Sequence, residues 1–241
     1  MTTRLTTVCF DAVDPAALAQ FWAETLSWDL TDQGPDEIAL IPTDGTQFVF
    51  LFLRVPLPKA GKNRIHFDLV AESAAHQLEL VDHLTSIGAR AVDVGQPDDA
   101  DHHVLADPEG NEFCVVIRGE FLATTGLLGA IVFEPANHDV GYFWSEVIGW
   151  PIVYDQDGDT AIRAPDGTGP FITFGPPVTE PNSNKNRVHL DVAPAPDDDH
   201  ASEVARFIAL GASRIDIGQR DVTWKVLADP DGNEFCVLRP H

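Results

Sequence analysis

The 241-residue chain reads as an α+β protein built from two tandem copies of one domain, each copy holding two βαβββ units. Three observations predict this. VLADPEGNEFCVV at 104–116 returns as VLADPDGNEFCVL at 226–238, displaced by 122 positions, with eleven of thirteen positions identical. KNRIHFD at 62–68 returns as KNRVHLD at 185–191, with five of seven identical. Within each copy, strand-like alternation and helix-like spacing follow one another twice in the same order. A period near 122 is too long for a solenoid. It fits two complete domains, 1–120 and 126–241, connected through 120–126.

Each element can be read in turn. Residues 5–13 alternate, with Leu5, Thr7, Cys9 and Asp11 on one face and Thr6, Val8, Phe10 and Ala12 on the other, which predicts a strand. Asp14-Pro15 supplies an N-cap followed by proline at the first helical position. Leu18, Phe21, Trp22 and Leu26 at helical spacing then predict a helix over 15–27. Strand-like runs at 38–41 and 47–53 flank Asp44-Gly45, read as a hairpin turn. A Pro/Lys/Gly stretch at 56–63 closes the first unit. The second unit opens with a strand at 64–70. Ser73 caps a helix carrying Leu80, Val81, Leu84 and Ile87, and Gly88 stands where a helix-terminating glycine belongs. Short strands at 91–94 and 102–105, the Asp-Pro-acid-Gly-Asn turn and a strand at 113–117 complete the copy; the turn residues favour positive φ at glycine and local side-chain closure at Asp. The pattern then restarts. Residues 128–134 parallel 5–11, Phe143-Trp144 parallels Phe21-Trp22, and Gly149-Trp150 parallels Ser27-Trp28. These four tryptophans read as core packing. Residues 197–199 read as a solvated loop, His200 as a helix start, and His138 and His241 as loop and terminus residues.

Composition narrows the function classes. Acidic residues number 38 against 15 basic, for a net charge of −23. This excludes the basic footprint that nucleic acid or an anionic membrane requires. Three cysteines do not make a disulfide framework. The N-terminus carries no charged-then-apolar leader pattern, and no apolar run approaches the ~20 residues of a membrane span. A reducing cytoplasm is the expected location. There is no phosphate-binding loop, dinucleotide glycine fingerprint or Gly-x-Ser-x-Gly elbow.

Strand alternation sorts the chemistry-bearing residues. In 64–70, Ile65, Phe67 and Leu69 form the helix-packing face, leaving Arg64, His66 and Asp68 opposite. In 112–118, Cys114 lies opposite Phe113, Val115 and Ile117. In 5–12, Thr7 and Cys9 lie opposite Val8 and Phe10. Within the first copy, Thr7, Cys9, His66, Asp68 and Cys114 are therefore expected on one concave surface. The second copy offers His189, Asp191 and Cys236, with Ala130 and Val132 in place of Thr7 and Cys9. Plainer readings stand beside this one. Cys114 and Cys236 suit small buried hydrophobes, and His66/Asp68 and His189/Asp191 suit buried hydrogen-bonded pairs with Arg64 and Arg187 as ion-pair partners.

Paired βαβββ modules, a first helix ending in FW…(S/G)W and the closing turn DP(E/D)GN resemble the vicinal oxygen chelate superfamily, which includes glyoxalase I, the bleomycin-resistance proteins and extradiol dioxygenases. The KNR(I/V)H(F/L)D and DP(E/D)GNEFCV pair resembles its glyoxalase-like bacterial branch most. The resemblance implies, for each domain, a curved mixed sheet of about eight strands around a cavity, with helices outside. Metal-dependent members take ligands from a His or Gln on the first strand, a residue on the fourth, a His on the fifth and a Glu on the eighth. By position, the fifth-strand His matches His66 and His189. The first-strand ligand falls at Thr7 and Ala130, and the eighth-strand Glu at Cys114 and Cys236. The fourth strands, 47–53 and 171–174, offer no acid or His. His66 and His189 are thus the metal candidates that remain, short of the three or more ligands a divalent ion generally takes.

Two functional readings follow. The first is a protein that binds a small organic molecule in a cavity without the usual complete metal site. The second is a lyase, isomerase or dioxygenase-type enzyme using a divalent metal or Cys–His chemistry. A divalent metal is the one cofactor the resemblance implies, and no residue is assigned a catalytic role. The expected partner is a small molecule, with the chain either a monomer of two pseudo-symmetric domains or a homodimer. If only one copy is functional, the first, with Thr7 and Cys9, is expected to hold the more polar pocket.

Overall fold

A computed structural model describes residues 3–34, 36–97, 99–135, 137, 139–175, 185–219 and 222–240. His138 and His241 lie outside the described residues. The first half contains β1 (Arg4–Ala12), α1 (Pro15–Leu26), β2 (Asp29–Gly34), β3 (Glu37–Ile41), β4 (Val49–Arg54), β5 (Ile65–Ala71), α2 (Ala74–Ser86), β6 (Arg90–Ala91), β7 (His103–Ala106) and β8 (Glu112–Ile117). The second half repeats it with β9 (Leu128–Phe133), α3 (Val140–Ile148), β10 (Ile152–Gln156), β11 (Asp159–Ile162), β12 (Phe171–Phe174), β13 (Val188–Ala193), α4 (His200–Ala209), β14 (Ser213–Arg214), β15 (Lys225–Ala228) and β16 (Glu234–Val237).

Local chemistry starts the helices where the sequence places them. Asp14 accepts from Ala17 N (3.2 Å), with Pro15 at the first position of α1. Ser73 accepts from His76 N at 3.2 Å, and Asp199 from Ser202 N at 2.8 Å. Such caps satisfy amide donors that a helix start leaves unpaired. Two local expectations need correction. Asp44-Gly45 is part of a longer loop between β3 and β4, in which Asp44 accepts from Thr46 N (3.0 Å) and Trp28 Nε1 (3.1 Å). β2 was not legible because it is an exposed edge strand of polar sequence, DLTDQG, with no buried face to impose alternation.

The strands form two eight-stranded mixed sheets. Sheet A has the order β14-β15-β16-β13-β1-β4-β3-β2, and sheet B the order β10-β11-β12-β9-β5-β8-β7-β6. Each sheet therefore joins one module from each half. β1 pairs antiparallel with β13, and β5 antiparallel with β9. The two halves carry nearly the same strand edges, so alternation alone does not say which copy supplies the neighbour; exchange of equivalent elements is a known route to pairing.

Although the sheets join the halves, each half packs its own aromatic core. Trp22 lies 5.4 Å from both Phe67 and Phe113, and Phe10 stacks on Phe67 at 5.4 Å. In the second half Trp144 lies 5.1 Å from Phe235 and 5.9 Å from Phe133. The four tryptophans read as core are all buried. The repeated turn fastens this core. Asp107 accepts from Glu109 N, Asn111 N and Asn111 Nδ2, each at 2.9 Å, and from Trp22 Nε1 at 3.2 Å. Asp229 accepts likewise from Asp231 N, Asn233 N and Trp144 Nε1. Burial outweighs these donors and pushes both carboxyls up to about 6. Gly110 and Gly232 take φ +91° and +84° in the same turn, a conformation glycine adopts at no steric cost.

The third turn residue then reaches across the halves. Glu109 accepts from Arg187 Nη2 (3.0 Å) and from Val13 N and Asp14 N (2.9 and 2.6 Å). Its counterpart Asp231 stands 3.5 Å from Arg64. The two repeated motifs thus meet each other, turn of one copy against strand of the other.

Candidate functional site

Period-two geometry puts alternate residues of β1, β13 and β16 on the concave face of sheet A. The register sets Thr7 opposite Asp191, Cys9 opposite His189, and Asp191 opposite Cys236. This corrects the expected grouping: Thr7 and Cys9 face His189, Asp191 and Cys236, and do not share a surface with His66, Asp68 and Cys114. The cause is the cross-half pairing of β1 with β13. The more polar face therefore draws on both halves, where the sequence pointed to the first copy.

A cavity of about 940 Å³ opens over this face. Thr7, His189, Asp191 and Cys236 line its polar part, and Leu51, Leu53, Val55, Leu57, Trp224 and Leu238 its apolar part. An apolar cleft with a few placed polar groups, ~300–1,000 Å³ in volume, is the usual form of a small-molecule site. Cations at the rim are paired: Lys185 with Asp11, Arg187 with Glu109 at 3.0 Å, and Arg54 with Asp36 at 2.7 Å.

Beneath the cavity Cys9 Sγ donates to Asp191 Oδ2 at 3.2 Å, and His189 Nε2 lies 3.5 Å from Asp191 Oδ1. Oδ1 is buried and has no hydrogen-bond partner. Cys9, His189 and Asp191 bring one ligand atom each within 4.8 Å of one another. Burial first, and the charge of Asp191 second, push the Cys9 thiol well up, and the same causes act on Cys236. Without a cation both side chains are therefore thiols at neutral pH, poor nucleophiles by themselves.

Sheet B carries the equivalent face. Asp68 stands opposite Cys114 and Ala130, and His66 opposite Val132. His66, Asp68 and Cys114 also lie within 4.8 Å of one another by one ligand atom each. Here, however, the imidazole is engaged. His66 Nδ1 is 3.4 Å from Glu134 Oε1 and Nε2 is 3.8 Å from Asp68 Oδ1, while Lys62 donates to both Glu134 oxygens at 2.7 Å. Burial by itself lowers the His66 pKa, but hydrogen bonds to Cys114 and Glu134 and the charge of Asp68 outweigh it and push it up to about 10. Burial raises Asp68, with His66 opposing. Glu134 is held below the usual carboxylate range, burial being overcome by His66 and Lys62. The result is an imidazolium ion-pair network.

The connection between halves covers the apolar part of the sheet B face. Phe121 stacks on Phe171 at 4.4 Å and meets Tyr154 at 5.6 Å, while Leu122 packs on the small cluster of Ala130, Ala161 and Phe171. Arg118 donates to Leu122 O (2.6 Å) and Thr125 O (3.0 Å). Arg163 donates to Thr124 Oγ1 (2.6 Å) and Thr124 O (3.0 Å) and lies over the Phe171 ring. Sequence reasoning took this stretch for a plain connector; its one signal was the Phe121-Leu122 pair inside an otherwise polar, Gly- and Thr-bearing segment. Reasoning from the sequence also missed Asp11 and Lys185 at the sheet A rim and Glu134 beside His66, although Asp11 and Glu134 occupy equivalent positions in the two copies.

Comparison with known proteins places the fold. A family model described as a glyoxalase-like domain matches residues 7–116 and again 130–238. Glyoxalase I from Zea mays superposes with a TM-score of 0.65 at 13% identity, covering 99% of this chain and 92% of that one. A candidate dioxygenase from Bacillus subtilis superposes with a TM-score of 0.63 at 13% identity, covering 99% and 85%. Both likenesses concern the fold. No curated protein matches the chain.

Proposed function

Because the chain belongs to the glyoxalase-like domain family, we propose that it binds a small organic molecule in the concave cavity of sheet A. The observation that carries this reading is the contrast between the two faces. Sheet A opens onto about 940 Å³, whereas Phe121 and Leu122 lie over the apolar part of the sheet B face. The ligand is largely apolar, to match Leu51, Leu53, Leu57 and Trp224, and carries a polar group for the Thr7–His189–Asp191 floor.

Trp224 gives a direct assay, since it lines the cavity and is 37% exposed while the other tryptophans are buried. Neutral apolar compounds bearing a donor group are titrated against Trp224 fluorescence. Binding that changes this signal and is lost in Leu53→Trp, which fills the cavity from β4, supports the proposal. Binding that survives Leu53→Trp overturns it.

A second reading, catalysis, is favoured by one observation, the convergence of Cys9, His189 and Asp191 beneath the cavity. A cation held by these residues would supply Lewis-acid polarisation of a ligand oxygen. The family positions Thr7 and Cys236, with a fourth strand that offers no acid or His, do not complete a ligand set around His189, so this reading depends on the group of Cys9, His189 and Asp191. A metal-free Cys–His nucleophile is not supported at sheet A, because burial and Asp191 hold both thiols protonated.

A further inference from the structure

We propose that Cys9, His189 and Asp191 form a binding site for one borderline divalent cation of the zinc class, with Cys9 two residues along β1 from Thr7 and Asp191 paired beside Cys236 of β16. It deepens the reading of sheet A as the ligand site and rests on it only for an open path to the floor.

Four observations converge. First, the three ligand atoms lie within 4.8 Å of one another. Second, the Asp191 carboxylate stands between the other two donors, offering Oδ2 to Cys9 Sγ at 3.2 Å and Oδ1 to His189 Nε2 at 3.5 Å, each close to the roughly 3.3–3.6 Å between neighbouring ligands of a tetrahedral zinc ion. Third, Asp191 Oδ1 is buried without a hydrogen-bond partner beside a cavity, and a buried carboxylate oxygen in that state is costly unless something meets it. Fourth, His189 and Asp191 line the cavity, so a fourth coordination position faces the space a ligand enters.

The donor set names the cation. One sulfur, one imidazole nitrogen and one carboxylate oxygen suit zinc, cobalt or iron(II), and do not suit magnesium or calcium, which take oxygen ligands. Binding is an exchange: Cys9 Sγ gives up its proton to solvent as the metal–sulfur bond forms, so one proton is released from this thiol per cation bound. Sheet B presents His66, Asp68 and Cys114 but carries Val132 at the place of Cys9. Its imidazole is also engaged through Nδ1 by Glu134 at 3.4 Å, and no buried carboxylate oxygen without a hydrogen-bond partner stands there among the described residues. The site is therefore single.

The test is cobalt(II) titration of the full chain, purified with chelator and then freed of it. The expected result is one cobalt per chain, with a thiolate-to-cobalt charge-transfer band and d–d bands of tetrahedral intensity. Cys9→Ala is expected to abolish the charge-transfer band, and Cys236→Ala and Cys114→Ala to retain it. Asp191→Asn is expected to weaken binding on the order of a hundredfold or more, since even outer-shell partners are worth about ten- to a hundredfold. Because Cys9 is fully buried, His189→Gln provides a variant at the cavity surface that must show the same loss while its circular dichroism is unchanged. A band that persists in Cys9→Ala, or disappears in Cys236→Ala or Cys114→Ala, overturns the assignment, as does failure to bind stoichiometric cobalt. Nile red binding on the same samples separates the two proposals: a chain that binds the dye at sheet A but no cobalt refutes the metal site alone.

Discussion

Replacing His66 with Gln removes the centre of the sheet B ion-pair network, and its consequence depends on pH in a calculable way. The imidazole pKa is raised from 6.5 to about 10 in the folded chain. Protons bind the folded state more tightly, so the stabilisation is complete below pH 6.5 and is lost as pH rises through 10. At 1.36 kcal/mol per unit, the 3.5-unit rise corresponds to about 5 kcal/mol at most, about 4 kcal/mol at pH 7 and under about 0.5 kcal/mol at pH 10. His66 is only 15% exposed in its side chain, so solvent screening removes little of this. The lowering of Glu134 reflects both His66 and Lys62, and its His66 share is the same ion pair seen from the other partner, so it is not counted again. Urea unfolding of both proteins at pH 7 and pH 10 measures the difference, and an NMR titration of the His66 ring gives its pKa directly. The expected stability gap narrows by about 3–4 kcal/mol between the two pH values. A gap that stays constant, or a ring that titrates at 6.5 or below, refutes the reasoning.

Other predictions follow from the contacts between the halves and from the core. A double-mutant cycle between Glu109→Ala and Arg187→Ala is expected to give a coupling of about 1.5–3 kcal/mol, as for a shielded charge-assisted hydrogen bond. The Arg64/Asp231 cycle should give less, because that contact is 3.5 Å and leaves Arg64 Nε and Nη2 without hydrogen-bond partners; equal couplings contradict this. Gly141→Ala in α3 places a Cβ 1.9 Å from Thr160 Oγ1 and 3.0 Å from Phe174 Cδ2, so denaturant midpoints should report a loss of ~1–3 kcal/mol, relieved in part by Thr160→Ala, which removes the clashing oxygen. Since both sheets complete their central pairings within one chain, sedimentation equilibrium is expected to give the monomer mass of 26.2 kDa; a dimer mass at micromolar concentration contradicts it.

Much of this architecture was legible because local chemistry and global fold agree. Asp14-Pro15 and Ser73 mark helix starts, Trp22 and Trp144 mark core faces, and the two DP(E/D)GN turns mark strand entries; each behaves as its residue types dictate. Alternation also put His66 with Asp68 and His189 with Asp191 on concave faces. What it did not convey was which β1 neighbour completes the sheet, because the two copies present nearly the same strand edges. That single ambiguity displaced Thr7 and Cys9 to the wrong partners. The covering of sheet B by Phe121 and Leu122 was hidden for another reason: a packed connector has no periodicity to betray it. The unpartnered oxygen of Asp191 is a property of three strands meeting, and no one strand encodes it.

The central claim is that the ligand cavity of this chain lies on sheet A, the apolar part of the equivalent sheet B face being covered by Phe121 and Leu122. Nile red binding stoichiometry, measured in parallel on the unaltered chain and on Phe121→Ala, tests it most directly. The account predicts one dye per chain, removed by Leu53→Trp, and a second dye bound once Phe121 is truncated. Two dyes bound to the unaltered chain, or one dye that Leu53→Trp fails to displace, would contradict it.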